Sequence, residues 1–202
     1  MVATSLGART EDRILDATER LLAVMGLRKM TMEDVAAEAG LTRRTVYKYF
    51  GSKQDLAFAS IDRVVSRVRE ELEDIAVSDR TVQDRLRRMA VARIAVRLEA
   101  VQSYRMSPDS VFEVVRPAYM ERRKEYFRAE AEIFAVVIRE GVASGRLKPV
   151  DPGLTADLLL QATDALLPYS LALDELGGMA EVKKRLGRMA DIFVAGISAG
   201  RR

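Results

Sequence analysis

From residue 42 to residue 54 the chain carries Arg43, Arg44, Lys48 and Lys53 and no acid, whereas residues 1–41 hold five basic residues against seven acidic ones. Positive charge gathered into one short segment is the footprint of a polyanion partner. Arg43 and Arg44 fall in the first turn of a short predicted helix, where an arginine fork can donate twice to guanine in a major groove. Thr45 offers a base edge either a hydroxyl or a methyl. Tyr47, Lys48 and Tyr49 come one turn later, and their polar tips suit phosphate oxygens. Lys53 opens the following helix, where backbone amides already favour an anion. Val46 and Phe50, four apart, face inward and hold this helix against Val35 and Leu21. The plain alternative is a solvated basic face on a scaffold.

The elements that must position these residues are helices. Ile14, Leu15, Thr18, Leu21, Leu22 and Met25 form one stripe, on a helix that Thr10 is placed to cap and Gly26 to end. A second helix spans about 32–39, with Thr31 as N-cap and Asp34 as the acid of a capping box. Gly40 breaks it and Thr42 caps the third helix, which runs to about Phe50. Two short helices joined by a glycine-containing turn make a helix-turn-helix.

Beyond it, a long helix from Lys53 carries Leu56, Ile61, Val64, Val68 and Leu72 on one side, and another covers about 81–102. Pro108 and Pro117 are expected to break residues 103–117, leaving one short helix. A further helix over about 118–144 places Tyr119, Phe127, Phe134 and Ile138 in register, and two more span about 153–173 and 178–199. No strand alternation competes. The fold class is therefore all-α with about nine helices. A three-helix helix-turn-helix unit with the basic segment of a DNA-binding domain (1–52) precedes a larger helical body (53–202).

Composition narrows the function. Hydrophobic residues make up 49% and charged residues 31%, as in a folded globular protein, and the net charge is only +3. The chain contains no cysteine and no histidine. That removes disulfides, thiolate and imidazole metal sites, and nucleophiles activated by histidine. No enzymatic activity, cofactor or metal is expected. No apolar run approaches the roughly 20 residues that span a bilayer. Residues 1–10 carry one arginine and no apolar block, so they do not read as a signal peptide. The expectation is a cytoplasmic protein with no membrane partner.

The run from Met30 to Leu56, with Met32-Glu33-Asp34-Val35-Ala36, Gly40-Leu41-Thr42 and the ending Tyr47-Lys48-Tyr49-Phe50-Gly51-Ser52-Lys53, resembles the DNA-binding signature of the TetR family of transcriptional regulators. The resemblance covers about residues 10–58. It implies nine or ten helices, a homodimer and a ligand pocket, making residues 53–202 a helical ligand-binding and dimerisation domain behind the DNA-binding domain. It also implies DNA contacts at Arg43, Arg44, Thr45, Tyr47, Tyr49 and Lys53, with Thr31 and Thr42 at capping positions beside the phosphates. Past about residue 60 the likeness is one of helix number and length alone.

For pairing, the last helix offers the stripe Val182, Leu186, Met189, Phe193 and Ile197, and the helix before it is nearly apolar around Leu159 and Leu166. Helices apolar on more than one face must bury both, in a core or against a second copy. For a ligand, the middle of the body gathers the aromatics Tyr104, Phe112, Tyr119, Phe127 and Phe134, with Tyr169 later. Met89 adds adaptable surface. Arg93, Arg97 and Arg123 lie beside apolar stripes and can meet an anionic group. The expected function is a regulator that binds double-stranded palindromic operator DNA as a homodimer. A small, mostly apolar effector releases it. The rivals are a helical small-molecule-binding protein or enzyme whose N-terminal unit is scaffold, and a sequence-independent architectural DNA binder.

Overall fold

The computed structural model describes the backbone of residues 2–103, 108–164 and 177–200, and the side chains of 7–100, 120–164 and 177–200. Among the described residues it contains eight helices and no strand: α1 (Val2–Lys29), α2 (Met32–Glu38), α3 (Arg43–Tyr49), α4 (Lys53–Ala76), α5 (Val82–Ser103), α6 (Pro108–Ala143), α7 (Pro152–Asp164) and α8 (Gly178–Ile197). The all-α reading holds, with one helix fewer than expected. The two helices expected around 103–117 and 118–144 are one continuous α6. Pro108 takes the first helical position, where its missing N–H and fixed φ cost nothing, and the helix runs on through Pro117.

The start of α1 is also corrected. Thr10 lies inside a helix that begins at Val2 rather than capping one. Gly26 does interrupt it, at φ 72° and ψ 169°, a conformation essentially reserved for glycine.

The chain divides into two compact units, Met1–Val64 with Ala100–Glu121, and Val65–Glu99 with Arg122–Arg202. The first is built around Ile14, Leu22, Leu27, Met30, Val35, Val46 and Leu56, all buried, with Leu21 and Tyr49 at the margin. Burying each such aliphatic side chain stabilises the unit by roughly 1.5–3 kcal/mol, which is how two seven-residue helices persist. The second unit has its core on Leu72, Leu86, Met89, Phe134, Ile138 and Leu160. Ile94 and Leu98 of α5 pack separately against Val182 and Leu186 of α8. No helix among the described residues is long and apolar enough to cross a membrane.

Candidate nucleic-acid interface

Local chemistry sets both short helices. Thr31 and Asp34 form a complete capping box: the Asp34 amide donates to the Thr31 hydroxyl at 3.2 Å, and the Thr31 amide donates to the carboxylate at 2.9 Å. The Thr31 hydroxyl bond, and then its backbone bond, hold the Asp34 carboxyl below the usual aspartate range.

The end of α2 is as well defined. Gly40 sits at φ 61°, while its amide donates to the Ala37 carbonyl at 3.1 Å and that of Leu41 to Ala36 at 2.9 Å. This pair of bonds with a left-handed glycine is a Schellman cap. Arg13 of α1 completes it by donating to the Ala39 carbonyl at 2.7 Å, a cation at the negative end of α2. Thr42 then caps α3, accepting from the Thr45 amide at 3.1 Å, and the two hydroxyls meet at 2.8 Å.

α3 packs against α2, with Val46 fully buried and Phe50 nearly so. This leaves Thr42, Arg43, Arg44, Tyr47 and Lys48 exposed. Arg43 lies over the Tyr47 ring at 5.3 Å and pairs with Glu33 of α2. The hydrogen bond to Tyr47 and the Glu33 charge raise its pKa further, so it is a fixed cation. The contact is solvent-exposed and releasable, since such pairs contribute little in water. It holds the guanidinium over the first two turns of α3. Among the described residues Arg44 and Lys48 form no ion pair.

Two expected phosphate-facing residues have duties within the protein. Tyr49 is half-buried at the edge of the N-terminal core. Lys53 donates to the carbonyls of Leu27, Arg28 and Met30 at 3.0, 3.2 and 3.4 Å, closing the C-terminal end of α1. Sequence reasoning did not single out Glu33 or Arg13. An acid in the first turn of α2 suits the helix dipole whatever it pairs with, so it signals the first only weakly. Nothing local signals the second, whose partner is 26 residues away.

The residues considered for a ligand fall into three groups. Met89 and Phe134 are core residues with no exposed surface. Arg93, Arg97 and Arg123 come together around Glu130 and Asp164, and Arg93 lies over the Phe127 ring at 5.8 Å. Burial alone would lower the Arg93 pKa, but the charges of Glu130 and Asp164 reverse this and raise it. Tyr104 and Tyr169 lie outside the described residues, as do the side chains of Phe112 and Tyr119.

Of the residues considered for pairing, Leu159, Val182 and Leu186 are buried within the chain itself, and Met189, Phe193 and Ile197 are half-buried. Leu166 lies outside the described residues. The exposed apolar side chains of these helices are Leu154 (60%) and Leu158 (51%) on α7 and Ile192 (74%) on α8. Among the described residues no cluster of three or more carboxylates could hold a metal ion.

Comparison with known proteins agrees with this geometry. The model of bacterial regulatory proteins of the tetR family matches residues 14–59, which contain the capped α2–turn–α3 unit. An HTH-type transcriptional regulator of Bacillus subtilis, YfiR, is 25% identical over 87% of this chain and 89% of its own. The HTH-type regulator AlkX of Mycobacterium tuberculosis is 39% identical over 33% of each chain. Among solved structures, a transcriptional regulator from Cytophaga hutchinsonii superposes with a TM-score of 0.76 at 22% identity, covering 92% of this chain and 97% of that one. The SmeT–triclosan complex gives 0.65 at 23% identity, over 95% and 92%. SmeT is the repressor of a Stenotrophomonas maltophilia multidrug efflux pump. At these identities the structural likeness establishes the fold.

Proposed function

We propose, from the premise that this chain belongs through its N-terminal helix-turn-helix to the TetR family of bacterial regulatory proteins and is a DNA-binding transcription regulator, that it is a ligand-responsive cytoplasmic repressor acting as a homodimer on a palindromic operator. The observation that carries the reading is α3 itself. Its inner face is anchored by Val46, its start is fixed by Thr42, and Arg43, Arg44 and Lys48 stand exposed. Arg43, Arg44 and Thr45 read base edges. Tyr47, Lys48, Tyr49 and Lys53 hold phosphates beside the caps at Thr31 and Thr42. DNA binding is assigned to residues 1–52, pairing and ligand binding to 53–202.

Pairing has a physical motive in Leu154, Leu158 and Ile192, three large apolar side chains left in water by a single chain. A two-fold axis would set two recognition helices about 34–36 Å apart, one turn of DNA. An effector that binds better to dimers with another spacing lowers operator affinity by its differential affinity for the two states. A mostly apolar effector is the class favoured, and SmeT, a repressor of the same fold, forms a complex with triclosan.

The experiment is selection of bound duplexes from a random library, with sedimentation of the protein alone and on the selected DNA. A palindrome bound by two chains is the expected outcome. Recovery of no common sequence would make the protein an architectural binder, and no binding in about 50 mM salt would remove DNA from its function.

A further inference from the structure

Five side chains of the C-terminal unit form one alternating ladder that, among the described residues, ends in arginine on both sides. Glu130 accepts from Arg97 at one oxygen and from Arg93 Nε at 2.7 Å at the other. Asp164 accepts from Arg93 Nη1 at 2.7 Å and from Arg123 Nη2 at 3.2 Å. Three cations therefore face two anions. The centre is dry, with Arg93 3% exposed and Glu130 not exposed at all. The surplus positive charge falls on the partly solvated Arg123, which gives that end of the ladder an electrostatic preference for an anion.

The ladder also shows where that anion would sit. Arg93 is buried and held at both ends, donating through Nε to Glu130 and through Nη1 to Asp164, with Thr163 Oγ1 at 3.4 Å from Nη1. Arg97 is tied to its own helix through the Arg93 carbonyl at 2.8 Å as well as to Glu130. Among the described residues Arg123 donates only through Nη2 and meets no second carboxylate, and its side chain is about two-fifths exposed. A guanidinium with one edge used still presents a planar fork matched to an oxyanion. Phe127, half-buried one turn along α6 and under Arg93, supplies apolar surface for the body of such a molecule.

We infer that the Arg123 end of this ladder recognises the charged head of an organic acid, a carboxylate on an apolar body, and that this acid is the class of effector the protein senses. The inference deepens the ligand-responsive reading and rests on it. It also turns a mostly apolar effector into an amphiphilic one.

The test is calorimetric titration of the full-length protein with octanoate and benzoate, each against its uncharged counterpart, octan-1-ol or benzyl alcohol. Both acids are expected to bind at least about tenfold more tightly than the alcohols. R123Q should erase that preference and leave alcohol binding unchanged, whereas R128Q, at an exposed arginine on the same helix, should alter neither. Equal binding of acids and alcohols, acid binding that survives R123Q, or no acid binding overturns the inference. Random duplex DNA titrated into the same preparations separates the two readings. DNA binding without acid preference removes only the organic acid, and acid preference without DNA binding removes only the regulator.

Discussion

The α3 helix of the first unit and the charged ladder of the second use arginine in opposite ways. On α3, Arg43 is braced by an exposed acid and an aromatic ring, Arg44 has no ionic partner among the described residues, and both remain available to an outside anion. In the C-terminal unit Arg93 is buried, with carboxylates on two sides and a ring beneath it. A guanidinium in water can exchange its partner at little cost, but a dry one cannot lose its partner without paying for desolvation. The first arrangement suits recognition of a surface that comes and goes. The second pins α5, α6 and α7 together, and leaves receptive only Arg123 at one end.

Substitution should break this contrast most sharply at the centre of the ladder. E130L strands Arg93 and Arg97 in a dry site and should cost about 3–5 kcal/mol in urea-induced unfolding. A loss below about 1 kcal/mol would mean that the ladder is solvated. On α3 the expected effect moves from stability to binding. R44A should leave the unfolding midpoint unchanged and weaken the selected operator roughly tenfold to a hundredfold, with discrimination relaxed at one base pair. Uniform weakening across sequences would place Arg44 on phosphate instead.

Lys53 sits between the two behaviours. K53M should lower stability by about 1–2 kcal/mol through the lost α1 carbonyl contacts. If the same ammonium also meets a phosphate, the salt dependence of DNA binding should lose about one unit of slope. An unchanged slope would assign it to capping alone.

The smallest effect belongs to T31A, about 1 kcal/mol from the lost cap of α2. Its pH dependence follows from Asp34, whose folded pKa lies below its ordinary 3.8 because of the Thr31 hydroxyl and amide. A lowered folded pKa means the contribution is complete above about pH 3.8 and disappears as pH falls through the folded value. Stabilities of wild type and T31A, compared by thermal unfolding, should therefore draw together as the pH drops below 3.8. A constant gap would show that the carboxylate takes no part in the cap.

The N-terminal unit was legible because its determinants are short-range. Thr31 and Asp34 are three apart, Gly40 is the residue between α2 and α3 that takes a positive φ without strain, and Thr42 precedes its helix directly. Charge sorting between residues 1–41 and 42–54 needs only counting. The ladder left a fainter trace. Glu130 is an acid set on the apolar stripe of Phe127, Ala131 and Phe134, which signals a buried partner without naming it. Its partners lie 33 and 37 residues away, and Asp164 is 71 from Arg93.

The sequence by itself determined the all-α class, the capped α2–turn–α3 unit and the basic face of α3, because caps, turns and helical periods act within a few residues. Tertiary structure alone decided that α6 runs unbroken through Pro117. It also decided that Lys53 closes α1, that Val182 and Leu186 are covered by the chain's own α5, and that three arginines share two carboxylates. Each of these depends on which distant surfaces meet, and burial and charge compensation become calculable only once they have met.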